Sequence, residues 1–260
     1  MKVSEIIQII EQKIAPPELA LHTDSIGLMT GSPEAEVSSV FVCLDLTEQL
    51  LSEAAALGCA LIITHHPLMF TPAARLTECD VRGRLLCSAV RKQMNVYSAH
   101  TNLDFAVHGV NDSLAEKLGL QSIRKDRSQE HSFGLLPASL PYEDFIVYTA
   151  EKLETKGIRF VLPNACGALL VRRVGVSCGA YDHETDWIYE NHVDALVTGE
   201  VKHSDAVSLS MERFLTVAGG HYATEIWGVE KLAARLDSYL KAHQIPVLRS
   251  ALEHDPLCPL

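Results

Sequence analysis

Ala60-Leu61-Ile62-Ile63-Thr64-His65-His66-Pro67 joins an apolar, partly β-branched run to two adjacent imidazoles and a proline. The run reads as a strand buried on both faces, and the proline ends it because its nitrogen has no hydrogen for a ladder. Immediately upstream, Asp45-Leu46-Thr47 supplies a helix cap, Leu50, Leu51, Ala54 and Leu57 recur at helical spacing, and Gly58 stops that helix. Residues 37–44, rich in Val and Phe, read as another buried strand. A strand, a helix and a second strand that delivers polar groups at its end together point to an α/β fold.

The alternation continues downstream. Residues 81–94 predict a helix, residues 95–99 a strand ending at His100-Thr101-Asn102-Leu103-Asp104, and residues 112–118 a short helix closed by Gly119. Alternation at these lengths implies parallel strands with right-handed crossovers. At the start, Val3, Ile6, Ile7, Ile10 and Ile14 share a helical face that stops at Pro16-Pro17, and residues 22–32 read as turns and a short strand. Residues 121–131 are charged and poor in hydrophobes, which predicts a domain boundary. Beyond it lie a helix within 142–156 ended by Gly157, a strand near 169–177, a helix over 184–190 and a strand over 195–197. The strand over 214–218 leads through Gly219-Gly220 to His221-Tyr222-Ala223-Thr224-Glu225. From Thr224, Ile226, Val229, Leu232, Leu236 and Leu240 predict a helix with Glu225 in its first turn. The expected organisation is a discontinuous α/β domain of residues 1–123 and 217–260, with a smaller α/β domain of residues 124–216 inserted in it.

A formal charge of -11 weighs against nucleic acid and anionic membranes as partners, since both require a positive field. No apolar stretch reaches the roughly 18–20 residues of a membrane helix, and Glu5 and Glu11 interrupt any secretion-signal pattern, so a cytoplasmic protein is expected. The seven cysteines, Cys43, Cys59, Cys79, Cys87, Cys166, Cys178 and Cys258, form no Cys-x-x-Cys pair and read as small buried hydrophobes in a reducing compartment. A Gly-x-Gly-x-x-Gly fingerprint, a Walker loop and a Gly-x-Ser-x-Gly elbow are all absent from the sequence.

Open α/β sheets bind ligands beyond the carboxyl ends of their strands. His65, His66, His100, Asp104, His221 and Glu225 all fall at such ends, and imidazole and carboxylate are the donors that zinc, iron and manganese accept. Neighbouring side chains in an extended segment point apart, so His65 and His66 are expected to serve different ions. His221 can join His65, Asp104 can join His66 and Glu225 can bridge, giving the spacing of about 3.5–4 Å found in two-metal hydrolytic sites. His100 is either a proton shuttle or support for a ligand, or simply shapes its loop. Asp45 and Asn111-Asp112 read as helix caps. The stretch Thr198-Gly199-Glu200-Val201-Lys202-His203 either lines the cleft, through groups such as Lys202 and His203, or starts a helix.

Read in order, Asp24-Ser25-Ile26-Gly27-Leu28, Leu44-Asp45-Leu46-Thr47, Ile63-Thr64-His65-His66-Pro67-Leu68, Ala99-His100-Thr101-Asn102-Leu103-Asp104, Gly109-Val110-Asn111-Asp112, Thr198-Gly199-Glu200 and Gly220-His221-Tyr222-Ala223-Thr224-Glu225 resemble the Nif-three-like dinuclear metal-centre family, also called GTP cyclohydrolase I type 2 homologues. The resemblance runs nearly end to end and matches the compact form of the family. It implies two divalent ions (Zn, Fe or Mn) held by His65, His66, Asp104, His221 and a shared Glu225. It also implies two similar α/β domains with the metals at strand ends in the cleft between them, and a toroidal homohexamer. Thr23-Asp24-Ser25 stands where the family often has Trp-Asp-Asn, and Ser204 where it often has a second histidine. Two functions are expected from such a site. One is metal-dependent hydrolysis of a small cytosolic molecule, GTP being the substrate the family name suggests. The other is a non-catalytic carrier, store or scaffold for metal.

Overall fold

In the computed structural model, which describes residues 1–73, 75–164 and 169–257, the chain folds as two units. Unit 1 comprises Met1–Gly109 and Val229–His254; unit 2 comprises Val110–Gly228 and the tail from Asp255. The second unit is thus inserted in the sequence of the first. Unit 1 contributes, in chain order, α1 (Val3–Lys13), β1 (Gly27–Thr30), β2 (Val40–Cys43), α2 (Glu48–Ala56), β3 (Leu61–Thr64), α3 (Val81–Arg91), β4 (Asn95–Ser98) and α4 (Thr101–Phe105). Unit 2 contributes α5 (Val110–Lys117), β5 (Gln121–Lys125), β6 (Ser132–Pro141), α6 (Tyr142–Leu153), β7 (Arg159–Val161), β8 (Leu170–Ala180), α7 (Asp186–Glu190), β9 (Ala195–Glu200), α8 (His203–Leu209) and β10 (Leu215–Ala218). The helix α9 (His221–Leu240) carries the chain back to unit 1, and β11 (Val247–Arg249) follows.

The sheet of unit 1 has the order β1-β4-β3-β2-β11, with β4, β3, β2 and β11 parallel and β1 antiparallel to β4. Every residue of β2, β3 and β4 is buried, as the apolar runs of β2 and β3 predict for central parallel strands; in β4 the buried set includes Asn95 and Ser98. Phe41, Ile62 and Val96 meet Leu50, Leu51 and Ala54 of α2 and Leu85, Leu86 and Ala89 of α3 in one core. In register, Cys43 lies beside Thr64 and Thr64 beside Ser98, so the three strands finish level with one another. Thr47 caps α2 by accepting a hydrogen bond from the Leu50 backbone N–H at 3.2 Å, and Gly58 closes the helix with φ +71°. The cap is Thr47; Asp45 is engaged elsewhere, as described below.

The sheet of unit 2 has the order β5-β6-β8-β9-β10-β7, in which β8, β9 and β10 are parallel and the others antiparallel to their neighbours. Residues 121–125, charged and poor in hydrophobes, form the edge strand β5, which pairs on one side only and is largely exposed. The register of β6 on β8 slips between Leu135 and Leu140, where Pro137 has no N–H to give. Leu114 of α5, Leu118 just after it and Phe145 of α6 pack with Val174, Val197 and Val217 of the strands. α6 ends at Glu154, in the left-handed region at φ 56°, three residues before the expected Gly157. Asn111 and Asp112 are not caps: they lie buried in the first turn of α5, where Asn111 accepts from the Cys178 N–H and donates to the Glu130 carbonyl, and Asp112 accepts from Ser132 Oγ.

A buried imidazole also ties two loops of unit 2 together. His131 lies with Nδ1 3.2 Å from Asp126 Oδ2 and Nε2 2.6 Å from Asp182 Oδ2, and its ring stacks on Trp187 at 4.4 Å. Burial alone would lower its pKa, but hydrogen bonds to Asp126 and Asp182 and their charges push it up to about 9. Of the cysteines, Cys43 and Cys59 are buried, Cys87 and Cys178 half-buried, and Cys79 exposed in the turn before α3; Cys166 and Cys258 lie outside the described residues. The expectation of buried cysteines therefore fails at Cys79.

Candidate metal centre

In unit 1 the donors stand on the carboxyl edge of β2, β3 and β4. The ladder runs one step past the strands, with the His65 N–H donating to the Cys43 carbonyl at 3.1 Å and the His66 N–H to the Leu44 carbonyl at 3.0 Å. Beyond that the chain turns, so the alternation of an extended strand no longer applies. The His65 and His66 rings therefore lie together, 5.0 Å apart between centroids, with His100 at 5.2 Å and 5.7 Å from them. One ring nitrogen from each of the three lies within 4.8 Å of the other two, and Asp104 Oδ1 is 3.4 Å from His65 Nε2. His65 is completely buried.

Each of these imidazoles has Nδ1 committed to an oxygen. His65 Nδ1 meets the Ala99 carbonyl at 2.9 Å, His66 Nδ1 meets Asp45 Oδ1 at 2.8 Å, and His100 Nδ1 meets both oxygens of Asp24 at 2.8 and 2.9 Å. A carbonyl or ionised carboxylate can only accept, so the proton resides on Nδ1 and Nε2 is left as the coordinating atom. Asp24 also accepts from the Thr101 backbone and hydroxyl. Burial would raise its carboxyl, but the hydrogen bonds from His100 and Thr101 outweigh that and hold it well below the usual carboxylate range.

In unit 2 the donors stand on the carboxyl edge of β8, β9 and β10. Gly219-Gly220, the latter at φ +100°, turns the chain from β10 into α9, which opens at His221. The helix starts three residues earlier than the sequence pattern predicts, because the glycines already break the strand. Glu225 is therefore one turn in, at i+4 from His221, and the two share a face: His221 Nε2 lies 3.2 Å from Glu225 Oε2. His221 Nδ1 lies 3.2 Å from Glu200 Oε1 at the end of β9. Glu225 is buried, and Gly179 at the end of β8 forms its wall. A Cβ on Gly179 would come within 2.4 Å of Glu225 Oε1 and 3.4 Å of His221 Nε2, and its φ of +65° suits glycine. The Thr198–His203 stretch divides: Thr198, Gly199 and Glu200 complete β9, while Lys202 is the residue before α8 and His203 its first.

The residues fit a divalent transition ion. The candidate donors are imidazole nitrogens and carboxylate oxygens, no described cysteine is among them, and in unit 1 the Nδ1 contacts present Nε2 for coordination. The sequence offers these residues as candidate donors through their strand-end positions. It does not reveal the roles of Asp45 and Glu200, which obey the same rule, or of Gly179, whose contact with Glu225 spans 46 positions and leaves no local signal.

A profile of the Duf34/NIF3 family (NGG1p interacting factor 3) matches residues 1–256. The chain belongs to this family. Among NIF3 relatives, a "GTP cyclohydrolase 1 type 2 homolog" of Clostridium perfringens is 32% identical over 253 residues, covering 92% of this chain and 94% of the relative. Two solved structures share the NIF3 fold at a TM-score of 0.91: a hypothetical protein of Staphylococcus aureus, 23% identical, and a Bacillus cereus protein related to NIF3, 21% identical. Each covers 100% of this chain and 99% of the other. Among the described residues no helix is long and apolar enough to cross a membrane.

Proposed function

We propose that this NIF3-family chain holds two divalent ions through His65, His66, Asp104, His221 and a shared Glu225, and hydrolyses a small cytosolic molecule. The observation that supports this most is the shared presentation of Nε2 in unit 1, where His65, His66 and His100 each keep Nδ1 on an oxygen acceptor, together with the His221–Glu225 pair of unit 2. Imidazole and carboxylate donors would suit a catalytic ion, whereas structural zinc sites are usually held by thiolates. Ions of this class polarise a substrate oxygen and lower the pKa of water toward 7. Around them, Asp24 keeps His100 oriented with Nε2 available to receive or return a proton. The relatives' name makes the purine ring of GTP one substrate to test. A homohexamer is part of the same reading, and sedimentation velocity on the purified chain checks it.

The test is reconstitution with iron, zinc or manganese, followed by assays on GTP and other nucleotides, phosphoesters and cyclic amides. Saturable turnover that vanishes in His65→Ala and Glu225→Ala is the expected result, with two ions per chain by metal analysis. Wild type as inactive as Glu225→Ala on every class, with metal passing rapidly to a chelating acceptor, would replace the hydrolase with a metal carrier.

A further inference from the structure

Two carboxylates at the carboxyl ends of parallel strands occupy equivalent places in the two units, Asp45 just past β2 and Glu200 as the last residue of β9. Asp45 lies two residues past Cys43 of β2, and His66 two residues past Thr64 of β3, where Cys43 and Thr64 are register partners. Glu200 lies two residues past Thr198 of β9, and His221 three past Ala218 of β10, where Thr198 and Ala218 are register partners. In both cases a carboxylate on one strand end reaches Nδ1 of a histidine beyond the neighbouring strand, at 2.8 Å in unit 1 and 3.2 Å in unit 2. Asp45 and Glu200 have side chains 57% and 54% exposed, and neither has a lysine or arginine partner among the described residues. Packing does not account for them, and helix α2 is capped by Thr47 without help from Asp45.

We infer that Asp45 and Glu200 are positioning residues: Asp45 holds the proton of His66 on Nδ1, so that its Nε2 is the nitrogen offered to metal, and Glu200 orients the His221 ring, whose Nε2 faces Glu225 Oε2 at 3.2 Å. A free imidazole favours the opposite tautomer, with the proton on Nε2, which would block the coordinating lone pair. A carboxylate on Nδ1–H also makes the imidazole a stronger donor. The inference rests on the metal-binding reading for its purpose, but the tautomer it assigns is a property of the metal-free protein.

Asp45→Ala and Glu200→Ala test it, since both side chains are exposed and their removal leaves the cores untouched. Long-range proton–nitrogen NMR on metal-free, histidine-labelled protein near pH 8 reads the tautomer. His66 in wild type should carry its proton on Nδ1 and shift toward Nε2–H in Asp45→Ala. Zinc affinity by competition with a chromogenic chelator should fall about 10–100-fold in each variant. An unchanged His66 tautomer, or affinities within twofold of wild type, overturn the assignment. A wild type that binds no zinc at all would instead overturn the functional reading, and the NMR result would still decide the tautomer.

Discussion

In unit 1 three level parallel strands lead into Asp45, His65-His66 and Ala99-His100, whereas in unit 2 three parallel strands lead into Gly179, Glu200 and, after a glycine pair, His221. Both units use the carboxyl edge of a parallel triplet, yet they furnish it differently. Unit 1 crowds three imidazoles on short turns directly beyond buried strands. Unit 2 places one imidazole and one buried carboxylate a helical turn apart on α9, with a bare backbone wall behind them. A strand end fixes a donor through the sheet, so unit 1 needs few special residues. A carboxylate on a helix must be given room, and that makes a distant glycine part of the site.

Gly179 is the position where this contrast breaks most sharply. Gly179→Ala adds a Cβ that meets Glu225 Oε1 at 2.4 Å, in a left-handed backbone that costs alanine about 1–2 kcal/mol. With overpacking added, the expected loss of stability is roughly 2–4 kcal/mol. Displacement of Glu225 should lower the metal content while the three imidazoles of unit 1 are unaffected. Denaturant melts and metal analysis on the same preparation check both effects.

The units should also differ in how pH acts on them. His131 in unit 2 has its pKa raised from 6.5 to about 9 by Asp126 and Asp182, so its contribution is full below pH 6.5 and is lost as pH rises through 9. The amount at stake is on the order of 3 kcal/mol. Asp126 and Asp182 have lowered pKa values, so they contribute above their ordinary range and lose that contribution as pH falls below about 4. Urea melts of His131→Gln should lose the decline between pH 6.5 and 9 that wild type shows. A wild-type stability flat over that interval would remove the clamp from the account.

How much of this was legible in the sequence follows from the same physics. β2 and β3 could be read because strands buried on both faces are mostly apolar, and β4 because Val96 and Tyr97 follow a helix pattern at the right distance. β5 could not, because an edge strand tolerates Gln121, Ser122 and Arg124 on exposed positions. β6 was hidden by Pro137, which marks a register slip rather than an end. The donors His65, His66, Asp104, His221 and Glu225 stood out because polar residues cluster after apolar runs. Asp45 and Glu200 stood at the same kind of place, but helix capping offered Asp45 a simpler explanation, and the stretch with Glu200 could equally line the cleft or start a helix. Only the contacts to His66 and His221 separate the two readings.

That separation yields the smallest of the expected effects. Were Asp45 the cap of α2, Asp45→Ala would cost about 1 kcal/mol and Thr47→Ala almost nothing. The geometry predicts the reverse, because the Leu50 N–H donates to Thr47 Oγ1 while Asp45 Oδ1 accepts from His66 Nδ1. Thr47→Ala should therefore lower the urea midpoint by the equivalent of about 1 kcal/mol and leave chelator-measured zinc affinity alone. Asp45→Ala should stay within about 0.5 kcal/mol of wild type in stability, as exposed substitutions generally do. Equal destabilisation by the two variants would return Asp45 to the helix and take away its part in holding His66.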